Sequence, residues 1–187
     1  MCSPSGLPRA IETPRLTLEP QRVEHADEMI LVLADRDLYK QTGGEPPSLV
    51  ELRSRYAEQA SGQSPDGSRG WLNWVIRERD TGFAVGAVQA TLRFQRGSIS
   101  AELAWTVGVA HQRRGYATEA TSGMVSWLGR HGVETFAALI RPGHTASERV
   151  AIHIGLSPTD AVRDGEVRWV RRAPSPPSRS ERRAGWS

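Results

Sequence analysis

Between Trp71 and Val109 the chain holds three consecutive runs of strand-forming residues, Trp71 to Arg79, Ala84 to Arg93 and Ser98 to Val109. They are linked by turns at Asp80-Thr81-Gly82 and Gln95-Arg96-Gly97. Turns this short return each strand beside its predecessor, so the spacing predicts an antiparallel meander. In the third run Ile99, Ala101, Leu103, Trp105, Val107 and Val109 alternate with Glu102, Ala104, Thr106 and Gly108. Alternation of period two places these sets on opposite faces, and Glu102 is then a lone acid among apolar or small neighbours.

A sheet with apolar residues to bury needs helices over it, and helical spacing supplies them. Ala26, Met29, Ile30 and Leu33 mark a helix over Val23 to Ala34. Leu49, Leu52 and Tyr56 mark one over Ser48 to Ala60, with Ser48 as its cap. From Ala117 to about Arg130 the repeat is Ala117, Ala120, Thr121, Met124, Val125 and Leu128, with Gly132 as the stop. Arg15 to Leu18 reads as a short first strand, Thr135 to Ile140 as a buried strand, Ala146 to Ile154 as a helix ended by Gly155, and Val167 to Arg171 as a last strand. The order β-α-α-β-β-β-α-β-α-β gives an α+β class with a mixed, mostly antiparallel sheet and helices on both faces. One domain is expected over 11–172, between a flexible terminus at 1–10 and a basic Pro/Ser/Arg-rich tail at 173–187; Ser61 to Gly70 is expected to be unstructured.

Charge helps to exclude functions. The 187 residues carry 24 basic and 21 acidic side chains, a net +3, and a pI of about 9.6 suggests an anionic partner. From Arg171 onward, however, there are five arginines and one acid, so residues 1–170 hold 19 bases against 20 acids, a net −1. The tail has no aromatic residue except Trp186, so a nucleic-acid partner is not expected. No membrane partner is expected either, because no apolar run approaches the roughly 18 residues of a span and the N-terminus lacks a signal-peptide core. One cysteine, Cys2, rules out an internal disulfide and a cysteine-based metal cluster. A cytoplasmic protein with no metal, acting as a monomer or homodimer, is the expectation.

The chemistry concentrates in Leu103 to Ala120, LAWTVGVAHQRRGYATEA. A strand, a polar loop containing Gly115 and a helix N-terminus turn several backbone N–H groups one way, at the positive end of the helix dipole. Arg113 and Arg114 add positive charge, and Gly115 and the small Ala117 permit close approach of an anion such as a pyrophosphate. An ordinary basic turn before a helix reads the same residues equally well. No G-x-x-x-x-G-K-[ST] occurs, and a single glycine after a meander is not a dinucleotide fingerprint.

Gln112-Arg113-Arg114-Gly115-Tyr116-Ala117 resembles the Q/R-x-x-G-x-G/A acyl-CoA motif of the GNAT N-acetyltransferase superfamily. The longer RRGYATEA resembles the branch that includes the ribosomal-protein-alanine N-acetyltransferases. ETPRLTLEP, VGAVQATL, ISAELAWTV and HTASERVAIHIGL are similar to that branch's first strand, central hairpin and later N-x-x-S-x-R-V helix, so the resemblance covers roughly Glu12 to Leu156.

This resemblance implies that the strand holding Trp105, Thr106, Val107 and Val109 splays from its neighbour at Thr135 to Ile140, with the pantetheine arm of acetyl-CoA in the gap. The amides from Gln112 to Thr118, including those of Tyr116 and Ala117, would hold the pyrophosphate. An amine acceptor would be acetylated directly, with Glu102 as general base and Ser147 as the hydroxyl beside the departing thiolate. Read without the family, Glu102 is a strand glutamate paired with an arginine and Ser147 a polar residue in a helix's first turn. His144 stands where the branch has asparagine, so its contact to the pantetheine is either kept by the imidazole or lost.

On the acceptor side Glu24 to Glu45 carries six acids against two bases. They form either an acidic rim for a cationic amine or two solvated helix faces. Asp35, Tyr39 and Trp71 are the candidate acceptor contacts. The readings that compete with acetyl transfer are an acyl-CoA-binding protein without turnover and a transferase of a larger acyl group such as succinyl.

Overall fold

The computed structural model describes residues 8–95 and 97–172. Expectations for 1–7 and for the tail at 173–187 lie outside the described residues. An eight-stranded sheet runs through the molecule in the order β1-β2-β3-β4-β5-β6-β8-β7. Its strands are β1 (Ile11–Glu12), β2 (Leu16–Pro20), β3 (Arg69–Glu78), β4 (Ala84–Gln95), β5 (Ser98–Val107), β6 (Val133–Ile140), β7 (Ser157–Arg163) and β8 (Glu166–Arg172). The meander β3-β4-β5 is antiparallel as expected. Only the β5–β6 contact is parallel, because α4 (Tyr116–Arg130) crosses over between those strands.

Sheet parity divides the core in two. Leu72, Trp74, Ile76, Val88, Ala90 and Leu103 face α4 and α5 (Thr145–His153), with Met124, Leu128 and Ala151 closing that layer. Trp74 is fully buried in this layer, and its indole meets Trp127 of α4 edge to face at 5.7 Å. On the opposite face Val75 and Ala84 pack under α1 (Ala26–Val32) and α3 (Leu49–Gln59) through Met29, Leu52 and Tyr56. The Ser48 cap is present as a reciprocal pair: Ser48 Oγ accepts from the Glu51 amide, and the Glu51 carboxylate accepts from the Ser48 amide at 2.7 Å.

Several expected boundaries change. A 3-10 turn over Val23–His25 precedes α1, which ends at Val32 and not at Ala34. A four-residue helix, α2 (Tyr39–Thr42), follows it. β5 stops at Val107, and Val109–His111 forms another 3-10 turn. The segment Ser61 to Gly70 is ordered, contrary to expectation. Asp66 accepts from the Ser64 and Ser68 hydroxyls and the Ser68 amide, hydrogen bonds that hold its carboxyl down to about 2. β1 and β7 have no counterpart in the expected order; every residue of β7 is exposed, which leaves no buried alternation to read.

Candidate active site

The parallel pairing of β5 with β6 ends at Glu102↔Ala137. β5 continues beside β4 to Val107, and β6 continues beside β8 to Ile140. From Leu103 onward the two strands therefore part, as the expected splay requires. A cleft of about 370 Å³ opens at this fork, lined by Gln89, Thr91, Glu102, Leu103, Ala104, Trp105, Thr106, Leu139, Ile140, Arg141, His144, Ser147 and Glu166.

The register explains the polar side of the cleft. Glu102 stands opposite Thr91, which stands opposite Trp71, and Ala104 stands opposite Gln89. Directly opposed residues share a face, so Trp71, Thr91, Glu102 and Gln89 all lie on the α1–α3 side of the sheet. Glu102 is 30% exposed, and its Oε1 accepts from Arg163 Nη2 at 2.8 Å. The arginine comes from β7, whose place in the sheet was not anticipated.

His144 and Ser147 enter from α5. His144 is the N-cap, and its Nδ1 accepts from the Ser147 amide at 3.3 Å. It thus does for the helix what an asparagine cap does. In the neutral ring the proton then sits on Nε2, leaving a donor for the cleft. The Ser147 hydroxyl has no hydrogen-bond partner among the described residues.

The loop between β5 and α4 is shaped by two left-handed residues, Arg113 (φ 62) and Gly115 (φ 78). Gly115 is the N-cap of α4 and has no capping side chain. The amides of Tyr116, Ala117 and Thr118 therefore begin the helix without intrahelical acceptors, which fits an incoming oxyanion. Gln112 Nε2 donates to the Val107 carbonyl at 3.1 Å and ties the loop to the end of β5.

Beneath the loop Arg15 makes a clasp. Its amide donates to Glu119 Oε1 at 2.8 Å, its Nε to Glu119 Oε2 at 2.7 Å and its Nη1 to the Arg114 carbonyl at 2.9 Å. The guanidinium also lies 5.0 Å over the Tyr116 ring. Burial raises the Glu119 pKa, but hydrogen bonds from Thr13 and Arg15 outweigh it, and the net shift is downward. Tyr116 is buried and its hydroxyl donates to Glu78, which lowers the Glu78 pKa. Only its backbone is then offered to a ligand. Arg114 Nη1 lies 3.8 Å from Glu78, whereas Arg113 has no acidic partner among the described residues.

Of the expected acceptor contacts, Trp71 shares a cross-strand row with Glu102 but does not line the cleft. Asp35 caps the Asp37 amide, and the Tyr39 hydroxyl donates to the Leu33 carbonyl; neither lines the cleft. Four of the six acids between Glu24 and Glu45 stand in ion pairs. Asp27 pairs with Arg53, Glu28 with Arg77, Asp37 with Lys40 and Glu45 with Arg36. Gln89, Thr91, Arg141 and Glu166 escaped the sequence reading. Gln89 and Thr91 could have been found as the polar positions of an otherwise apolar alternation. Among the described residues no cluster of His, Cys, Asp or Glu could hold a metal ion, and no helix is long and apolar enough to cross a membrane.

A family model described as an acetyltransferase (GNAT) domain matches residues 15–157. No curated protein matches the sequence. Solved structures with the same fold include a GNAT-family acetyltransferase from Bacillus anthracis (16% identity, 87% of this chain and 98% of that one, TM-score 0.68). The microcin self-immunity acetyltransferase MccE, in complex with acetyl-CoA and AMP, is similar at 14% identity over 91% of this chain and 98% of its own (TM-score 0.69). RimL, a ribosomal alpha-N-protein acetyltransferase in complex with coenzyme A, is similar at 14% identity over 88% and 98% (TM-score 0.70).

Proposed function

This chain belongs to the GNAT acetyltransferase family, and on that premise we propose that it moves the acetyl group of acetyl-CoA directly to a primary amine, with Glu102 as general base. The observation that carries the reading is the fork after Glu102↔Ala137, which opens a cleft lined by Glu102 and Ser147 along the strand that leads into the uncapped N-terminus of α4.

The residues fit the donor. The amides of Tyr116 to Thr118 and Arg113, which has no acidic partner among the described residues, would hold its pyrophosphate, and the gap beside Trp105, Thr106 and Val107 would take its pantetheine arm. When bound, acetyl-CoA supplies an acyl carbonyl joined to a good leaving sulfur. Glu102 would take a proton from the acceptor ammonium, directly or through a water, and free the nitrogen lone pair to attack that carbonyl carbon. The C–S bond breaks with its electron pair on sulfur, and the Ser147 hydroxyl would pass a proton to that sulfur while taking the second proton lost by the acceptor nitrogen, which gives the amide and free CoA thiol and restores the serine; Glu102 then returns its proton to solvent. No covalent bond to the protein is required. A single cysteine suits a compartment that does not use disulfides, and we place the reaction in the cytoplasm on that basis.

Release of CoA thiol should be measured with peptides bearing a free N-terminus, with polyamines and with amino sugars. Turnover by the wild type that falls about 100-fold or more in Glu102→Gln supports the reading. If wild type and variant run equally fast on every amine, Glu102 is not the base.

A further inference from the structure

Glu102, the proposed base, is paired in this structure with a cation from the protein itself. Arg163 Nη2 lies 2.8 Å from Glu102 Oε1. An acceptor ammonium must come to the same carboxylate, so guanidinium and ammonium compete for one place. Three further observations bear on the outcome. The pair is weakly held, since Arg163 is 52% and Glu102 30% exposed, and exposed ion pairs contribute little. Arg163 stands at the tip of the β7–β8 hairpin, directly opposite Glu166, across a turn formed by Asp164 (φ 53) and Gly165 (φ 80). Glu166 also lines the cleft, and its charge acts on Arg163 after those of Glu102 and Asp164. The guanidinium therefore has a second carboxylate within its own hairpin to turn to.

We propose that Arg163 is a displaceable counter-ion that fills the acceptor's cation position on Glu102 and shifts to Glu166 when the acceptor binds. The inference rests on the acetyl-transfer reading and narrows its acceptor class to amines that arrive as ammonium ions. The exchange is neutral in charge: one cation replaces another on Glu102, and the released cation meets a carboxylate already present at the rim. A neutral acceptor would have to leave the Glu102–Arg163 pair intact or break it without replacement.

The test compares wild type, Arg163→Gln and Glu166→Gln in steady state on spermidine, glucosamine and a short peptide with a free N-terminal alanine. Arg163→Gln should lower the acceptor KM about fivefold, the worth of an exposed ion pair, with kcat and the KM for acetyl-CoA within twofold. Glu166→Gln should raise the acceptor KM twofold or more, because Arg163 then loses its alternative partner. A rise in acceptor KM or a large fall in kcat for Arg163→Gln would mean that the arginine holds Glu102 in position, and would overturn the proposal. So would an unchanged KM in both variants. If the wild type itself acetylates none of these amines, the acetyl-transfer reading fails first, whatever the variants do.

Discussion

Single residues decide whether the loop before α4 and the α5 side of the cleft are formed. Gly115 is left-handed, while a Cβ placed there would meet nothing closer than Arg15 Nη2 at 3.5 Å, so the demand is conformational and not steric. Gly115→Ala should therefore cost roughly 1–2 kcal/mol of backbone strain. It should also raise the KM for acetyl-CoA several-fold while leaving the acceptor KM unchanged, as initial rates against each substrate would report. At the other end His144 caps α5, and His144→Asn preserves a good cap whereas His144→Ala removes it. Thermal melting should separate the two, with the alanine variant less stable by about 1 kcal/mol. The role expected for asparagine at this position was legible as a departure. That the imidazole would accept the Ser147 amide was not, because capping depends on a ring orientation that spacing does not encode.

Among the elements, the approach to β2 and the start of α4 are joined by the Arg15–Glu119 clasp. Glu119 has a lowered pKa, so its contribution to stability is fully present above its ordinary value of 4.5 and is lost as pH falls through the lower folded value. Glu78 behaves in the same sense. Melting temperature should fall steeply below about pH 4.5 in the wild type and less steeply in Glu119→Gln, which has already given up the Arg15 contacts. The meander, α4 and the face of Glu102 were all readable, since each depends on a local period. β7 was not, because seven exposed residues bury nothing, and with it went the partner of Glu102, which is 61 residues away in the chain. The pairing of the acids between Glu24 and Glu45 was legible only in part. Counting charges along Glu24 to Glu45 misses Arg53 and Arg77, which fold back onto Asp27 and Glu28 from other elements.

At the scale of the molecule, two apolar layers share one sheet, and Trp74 links β3 to α4 and, through its indole N–H, to the Arg9 carbonyl at 2.9 Å. Trp74→Ala should cost about 3–5 kcal/mol, measurable by urea denaturation, and should loosen both ends of the chain's described core. Sheet order was predicted only as far as the meander, since the place of β8 between β6 and β7 follows from long-range pairing and from no nearby turn. The parting of β5 from β6 has a further consequence. Sheet edges normally lie at a protein's rim, yet here the backbone from Leu103 to Val107 is an edge inside the molecule, with half of its N–H and C=O groups turned toward no partner strand. Alternate amides in that stretch should exchange with deuterium in water much faster than those of Ala87 to Leu92 in the strand beside it. They should slow when coenzyme A is added, as a chain slotted into the seam completes a ladder that the protein leaves unfinished.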